Sequence, residues 1–247
     1  DPSGFLIGYV GGTPVSSISV VRYGDDHGFL GFYIVHPDGR GKGFGMATWK
    51  AGMAHLGQRT VGLDGVVAQQ DNYTKSGFEL VGRNIRFTGV PKMARPTRSG
   101  VTAEAARADH SDRIEKLDRL CFGAPRPDFL QSWVFAAPAA GRKTFVVLEN
   151  GDVSGFATIR KCIEGYKIGP LFAQTQQAAE ALFQACCDEA EPGSIITLDV
   201  PEANQQAVKI AEKSGLEPVF ETARMYRGSA PDLPWSHIFG VTSFELG

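Results

Sequence analysis

The sequence predicts an α/β (α+β) chain built from two diverged copies of one unit. Three observations carry that expectation. Lys75-Ser76-Gly77-Phe78-Glu79 recurs as Lys213-Ser214-Gly215-Leu216-Glu217, 138 residues later. Each copy has two apolar runs joined by a glycine-containing turn, Phe5 to Arg22 and Phe145 to Arg160, which is a hairpin pattern. Each hairpin leads to a short strand ending at a proline, Val35-His36-Pro37 and Ile168-Gly169-Pro170, and then to a helical pattern. Self-similarity at one long spacing means the same unit used twice.

The elements follow in order. In the first copy, the hairpin leads to an apolar strand over 28–35, a glycine-rich turn and a helix over 44–56. Pro91 to Gly100 is rich in Pro, Arg, Ser and Gly and reads as the linker. The second copy opens with a strand-like 101–105 and a helix starting near His110-Ser111-Asp112, with Ile114, Leu117 and Leu120 on one face. Its hairpin follows, then a helix over 176–190. In the second copy 44 residues, 101–144, precede Phe145, whereas only four precede Phe5. The first copy is therefore expected to lack about 40 residues, an opening strand and one or two helices. The domains expected are 1–95 and 96–247. In the tail, Ile238, Phe239, Val241 and Phe244 allow one more strand, covering an edge or filling a cleft. Trp235 and His237 beside it are acceptor contacts or, more simply, packing.

Composition narrows the function. Twenty-five basic residues against 27 acidic give a net charge of −2, which is not the basic footprint of a general nucleic-acid binder. The chain has no apolar run of the roughly 18 residues a membrane helix needs. The four cysteines include no C-x-x-C, and the five histidines show no metal spacing, so free thiols in a cytoplasmic protein without a metal are expected. Glycine is the outlier, with 18 of the 30 in residues 1–95. Residues 1–95 also carry net +3, and residues 96–247 net −5. A mildly positive half suits a polyanionic ligand, and an acidic half a cationic amine.

The glycines concentrate in Val35-His36-Pro37-Asp38-Gly39-Arg40-Gly41-Lys42-Gly43-Phe44-Gly45, between a strand and a helix. A glycine turn at a helix N-terminus is an anion site: its N–H groups point outward, and the helix dipole favours negative charge. Alternate glycines let backbone approach a pyrophosphate, and Arg40 and Lys42 add charge. The spacing fits neither a P-loop, which needs Ser or Thr after Gly-Lys, nor a G-x-G-x-x-G dinucleotide turn.

The pattern V-x-P-x-x-R-G-x-G-x-G resembles the pyrophosphate loop of the GNAT superfamily of N-acetyltransferases. A second GNAT signature, Y-x-K-x-G-[FY], stands as Tyr73-Thr74-Lys75-Ser76-Gly77-Phe78. One departure is Val66, where the family often has Asn; Asn72 is out of register. The resemblance covers about residues 5–89 and, more weakly, 101–228, as in tandem-GNAT proteins. It implies two GNAT-like domains, each a mixed, mostly antiparallel sheet flanked by helices.

The resemblance also implies a chemistry. Arg40, Gly41, Lys42, Gly43, Phe44, Gly45 and Met46 would hold the phosphates of acetyl-CoA (CoA), with Asn72 and Tyr73 beside them. Ile34 and Val35 would pair with the pantetheine arm through their backbone, and the N–H near Val35 would polarise the thioester carbonyl. Tyr73 would act as general acid for the departing thiolate, and Val35 and Tyr73 are thus the catalytic expectations. No residue identifies itself as the base: Tyr33, Asp25, Asp26, His27 and His36 are the nearby titratable groups.

In the second copy, Ala173, Gln174, Gln176 and Ala178 align with Arg40, Gly41, Gly43 and Gly45, and Ala211 with Tyr73. One acetyl-CoA site per chain is expected, in the first domain, with a structural or pocket-shaping second domain. A helix starting near Thr175 would still offer its N-terminus to an anion there. The function expected is transfer of an acetyl group to the primary amine of a small molecule or peptide by direct attack, in a monomer or homodimer without nucleic-acid or membrane partners. A non-catalytic acyl-CoA-binding sensor or scaffold is the alternative.

Overall fold

The computed structural model describes residues 1–92, 100–135 and 140–247. Most of the expected linker, residues 93–99, lies outside the described residues, and so does the 95/96 boundary. The chain forms two compact units that do not follow a single cut. Unit 1 is Asp1–Val81 with Ala223–Ala230 and Phe244–Gly247, and unit 2 is Gly82–Thr222 with Pro231–Ser243.

In unit 1, β1 (Phe5–Val10), β2 (Thr13–Tyr23) and β3 (His27–Val35) form an antiparallel meander. Strand β4 (Thr60–Val66) runs parallel to β3, as the intervening helix α1 (Phe44–Leu56) requires. Next to β4 lies β11 (Glu217–Arg227), whose part from Ala223 on belongs to this unit. The core under α1 joins Ile18, Val20, Leu30, Trp49, Leu56, Val61, Leu63, Tyr73 and Phe78 to Ala223 and Met225. A bidentate ion pair, Arg224 to Asp64 at 2.9 and 2.6 Å, is buried in the same unit.

Unit 2 repeats the plan. Its sheet runs from the first part of β11 through β5 (Glu79–Gly89), β10 (Ile196–Pro201), β9 (Tyr166–Ala173), β8 (Asp152–Lys161) and β7 (Arg142–Glu149) to β6 (Ala103–Ala105). The equivalent ion pair joins Arg86 on β5 to Asp199 on β10 at 2.7 and 2.9 Å. Helix α3 (Ser111–Phe122) packs on β8 and β9, and α4 (Pro127–Trp133) follows it. Helix α5 (Gln176–Glu189) packs on β7, β8 and β9. The apolar face of α3 is Ile114, Leu117, Cys121 and Phe122; Leu120, expected there, is exposed. Spacings of three, seven and eight from Ile114 stay on one stripe of a helix, and six does not.

The short helices α2 (Gln70–Lys75) and α6 (Gln205–Lys213) occupy equivalent places. Asn204 caps α6 by accepting from the N–H groups of Gln206 and Ala207. At the equivalent Val66 no side chain caps, and a 3-10 turn, Val67–Gln69, enters α2 instead. Among the described residues no helix is long and apolar enough to cross a membrane.

Candidate active site

The site is built by an irregularity in β3. Pairing with β2 shifts register between Ser17 and Ser19, so that Phe32 and Tyr33 together oppose Ile18. Phe32 takes a positive φ of 47°. An extra residue in one strand bends it, and β3 parts from β4 at this point: their parallel ladder ends at Leu30↔Leu63. A cleft opens between the last residues of the two strands. The His36 N–H donates to the Val15 carbonyl at 2.9 Å, on the β2 side. Strand alternation then turns the Val35 backbone to the cleft side. The Val35 carbonyl accepts from Nε of the Arg40 guanidinium at 3.3 Å.

At the mouth of the cleft, the glycine turn enters α1. Gly41 and Gly43 have φ of 73° and 82°, the left-handed region that side chains avoid, with open space where a Cβ would point. Gly43 is the N-cap of α1 and no side chain caps the helix, so the first-turn N–H groups face that space. Arg40, Lys42 and Met46 are exposed around it.

The far side of the cleft is aromatic. Trp49 of α1 packs edge-on against Tyr33 (5.2 Å between centroids) and stacks on Tyr73 (5.9 Å). The Tyr73 ring lies against the backbone of β4: a Cβ on Gly65 would fall 2.2 Å from it. Tyr33 reaches the first turn of α1, its hydroxyl 2.8 Å from where a Cβ on Gly45 would be. Burial raises the Tyr33 hydroxyl above its ordinary pKa. Burial raises Tyr73 too, with a further push from Tyr33.

An acetyltransferase (GNAT) domain model matches residues 114–240, and an acetyltransferase (GNAT) family model matches residues 1–78. The holothin acyltransferase of Pseudoalteromonas sp. (strain SANK 73390) is 35% identical over all of this chain and 82% of its own length. The chain belongs to the GNAT acetyltransferase family. Solved GNAT folds agree. An acetyltransferase candidate from Pyrococcus horikoshii superposes with a TM-score of 0.81 at 20% identity, over 100% of this chain and 81% of that one. A tandem GNAT protein from the clavulanic acid biosynthesis pathway gives 0.59 at 13%, over 91% and 82%.

Within the first GNAT unit, Ile34, Val35, Arg40, Gly41, Lys42, Gly43, Phe44, Gly45, Met46 and Tyr73 all border the cleft or its mouth. Asn72 lies on the exposed side of α2, where its amide donates to Gln69 at 2.7 Å. Asp25, Asp26 and His27 are at the opposite, closed end of β3, where His27 pairs with Tyr23 and Thr60. His36 turns back on its own loop and accepts from the Asp38 N–H at 3.4 Å.

The second GNAT unit has the same cleft, filled by its own chain. Strands β9 and β10 pair in parallel only through Ile168↔Leu198. Beyond that point β12 (Ile238–Gly240) pairs with β9 at Phe172 and Leu171, and the next residue, Val241, donates its N–H to Asp199 of β10 at 2.9 Å. The tail strand therefore occupies the gap that stays open in unit 1. The helix N-terminus is closed as well: Thr175, the N-cap of α5, accepts from the Ala178 N–H at 3.2 Å. Trp235 and His237 form the 3-10 turn leading into β12.

Proposed function

We propose that this GNAT protein transfers an acyl group, acetyl first, from acyl-CoA to a primary amine at the unit 1 cleft. The supporting observation is the parting of β3 from β4 beside an uncapped glycine N-terminus. The cradle fits a pyrophosphate because Gly41 and Gly43 leave its N–H groups uncovered and Arg40 and Lys42 flank it. Gly45 and Met46 continue its first helical turn, behind Phe44. Ile34 and Val35 line the strand along which an extended pantetheine arm runs, and cleft-side backbone N–H groups near Val35 polarise the thioester. Tyr73 protonates the leaving thiolate. Asn72, next to Tyr73 on α2, would flank the cofactor through its Oδ1 or backbone, its amide nitrogen already donating to Gln69.

The amine attacks the thioester directly, with no covalent enzyme intermediate. Holothin, the acceptor named for the relative, heads the panel of amines to test, followed by amino acids, polyamines and peptide N-termini. The decisive experiment measures acetyl-CoA turnover over that panel alongside acetyl-CoA affinity. A Gly43→Asp variant places a carboxylate where the phosphates go, and its affinity should fall at least about tenfold. Unchanged affinity in that variant would place the cofactor elsewhere. Tight binding without turnover on any amine would instead favour a sensor or scaffold, the reading that the self-filled second cleft also suits.

A further inference from the structure

The cleft of unit 1 is completed by a distant segment of the sequence. Phe244–Gly247 belongs to this unit, and Tyr23 holds it there by donating its hydroxyl to the Leu246 carbonyl at 3.2 Å. The contact with the site is at Gly31. A Cβ on that residue would fall 2.6 Å from Glu245 Cα, 2.7 Å from its carbonyl oxygen and 2.8 Å from its Cβ. Gly31 immediately follows Leu30, the last β3 residue paired with β4, so Glu245 is seated at the apex of the cleft.

The two faces of the cleft differ. Leu30 and Leu63 point into the core under α1, so strand alternation points position 31 to the other face and Gly65 to the α1 face. Tyr73 covers Gly65 from the α1 side, and the tail covers Gly31 from the opposite side. A pantetheine arm running back along β3 from the phosphate cradle brings its sulfur end to this apex. The thioester there would have the Tyr73 ring on one side and Glu245, whose Cα, carbonyl oxygen and Cβ lie against Gly31, on the other.

We propose that Glu245 is the general base that takes the proton of the attacking amine. The inference rests on the acyltransfer reading above. The amine lone pair forms the C–N bond at the thioester carbonyl carbon, and the nitrogen's proton passes to the Glu245 carboxylate. The C–S bond breaks with its electron pair on sulfur, which takes the Tyr73 hydroxyl proton. Solvent then carries the proton from Glu245 back to Tyr73, leaving amide and free CoA.

The test compares wild type, Glu245→Gln, Glu245→Asp and Gly31→Ala in full-length chain. General-base removal typically costs two to four orders of magnitude, so Glu245→Gln should lower kcat/KM for the amine about a hundredfold or more. Its dissociation constant for acetyl-CoA, read by calorimetry, should stay within about twofold, because the phosphate cradle is untouched. Glu245→Asp should recover part of the rate. Gly31→Ala, whose Cβ expels the tail, should show the same loss of rate with the same retained affinity. Wild-type kcat/KM in Glu245→Gln overturns the proposal while leaving the acyltransferase reading intact. A wild type that binds acetyl-CoA and acylates no amine overturns both.

Discussion

The Tyr73 ring rests on Gly65 and stacks on Trp49, and burial there raises its hydroxyl above the ordinary value of 10.0. A raised phenol stays protonated through neutral and moderately alkaline pH, which is the form an acid needs. Turnover that depends on it should therefore fall only above pH 10, as the hydroxyl ionises. Tyr73→Phe should lower kcat by about tenfold to a hundredfold, modestly because a thiol leaves without much help, and remove that alkaline fall. A pH profile of both forms at saturating substrate checks it; an unchanged alkaline limb in the variant would assign it to another group. Tyr73 was legible in sequence because its neighbours, Lys75, Gly77 and Phe78, stand at fixed short spacings from it. Glu245 was not. Its contact with Gly31 joins residues 214 apart, and nothing local in the tail distinguishes that carboxylate from a solvated one.

At the scale of elements, α1 and α5 are the same helix with opposite ends. The N-cap of α1 is Gly43, which offers no side chain, and that of α5 is Thr175, which bonds the Ala178 N–H. An uncapped helix start leaves donors for an anion, whereas a capped one spends a donor on its own threonine. The loss of the glycines was plain in the sequence, and it is why the cofactor is expected in one copy alone. The filling of the second cleft by β12 was not: three residues carry too little pattern to show which strands they join, only that a strand is allowed. Thr175→Ala should destabilise unit 2 by about 1 kcal/mol, the usual worth of a threonine cap. Because β12 still occupies the gap, it should open no new site. Calorimetric titration should give one acetyl-CoA per chain in both wild type and variant, and a second equivalent in either would mean that the tail strand leaves its cleft.

Across the whole molecule, the repeat visible at 138 residues hides an exchange. Arg86 and Arg224 stand at that spacing, yet each pairs with the aspartate of the other copy: Arg224 with Asp64 in unit 1, Arg86 with Asp199 in unit 2. A reading of the sequence assumes that each copy folds on itself, because sequence order carries no sign that a C-terminal strand is lent. Unit 1 thus depends on residues more than 140 positions beyond its own β4. A chain ending at Thr222 lacks Ala223–Ala230 and Phe244–Gly247, and it should lose acetyl-CoA binding although the entire glycine loop is present. Single substitutions should separate the two pairs. Arg224→Met leaves a buried Asp64 without its guanidinium, a change that typically costs about 3–5 kcal/mol. Arg86→Met should cost less, because Lys167 also holds Asp199 and the Arg86 side chain is already 29% exposed. Urea unfolding followed together with acetyl-CoA binding reads both effects. The expected order is a large loss of stability and affinity for Arg224→Met and a small loss of stability alone for Arg86→Met. Equal effects would mean that the two exchanged strands carry the same load.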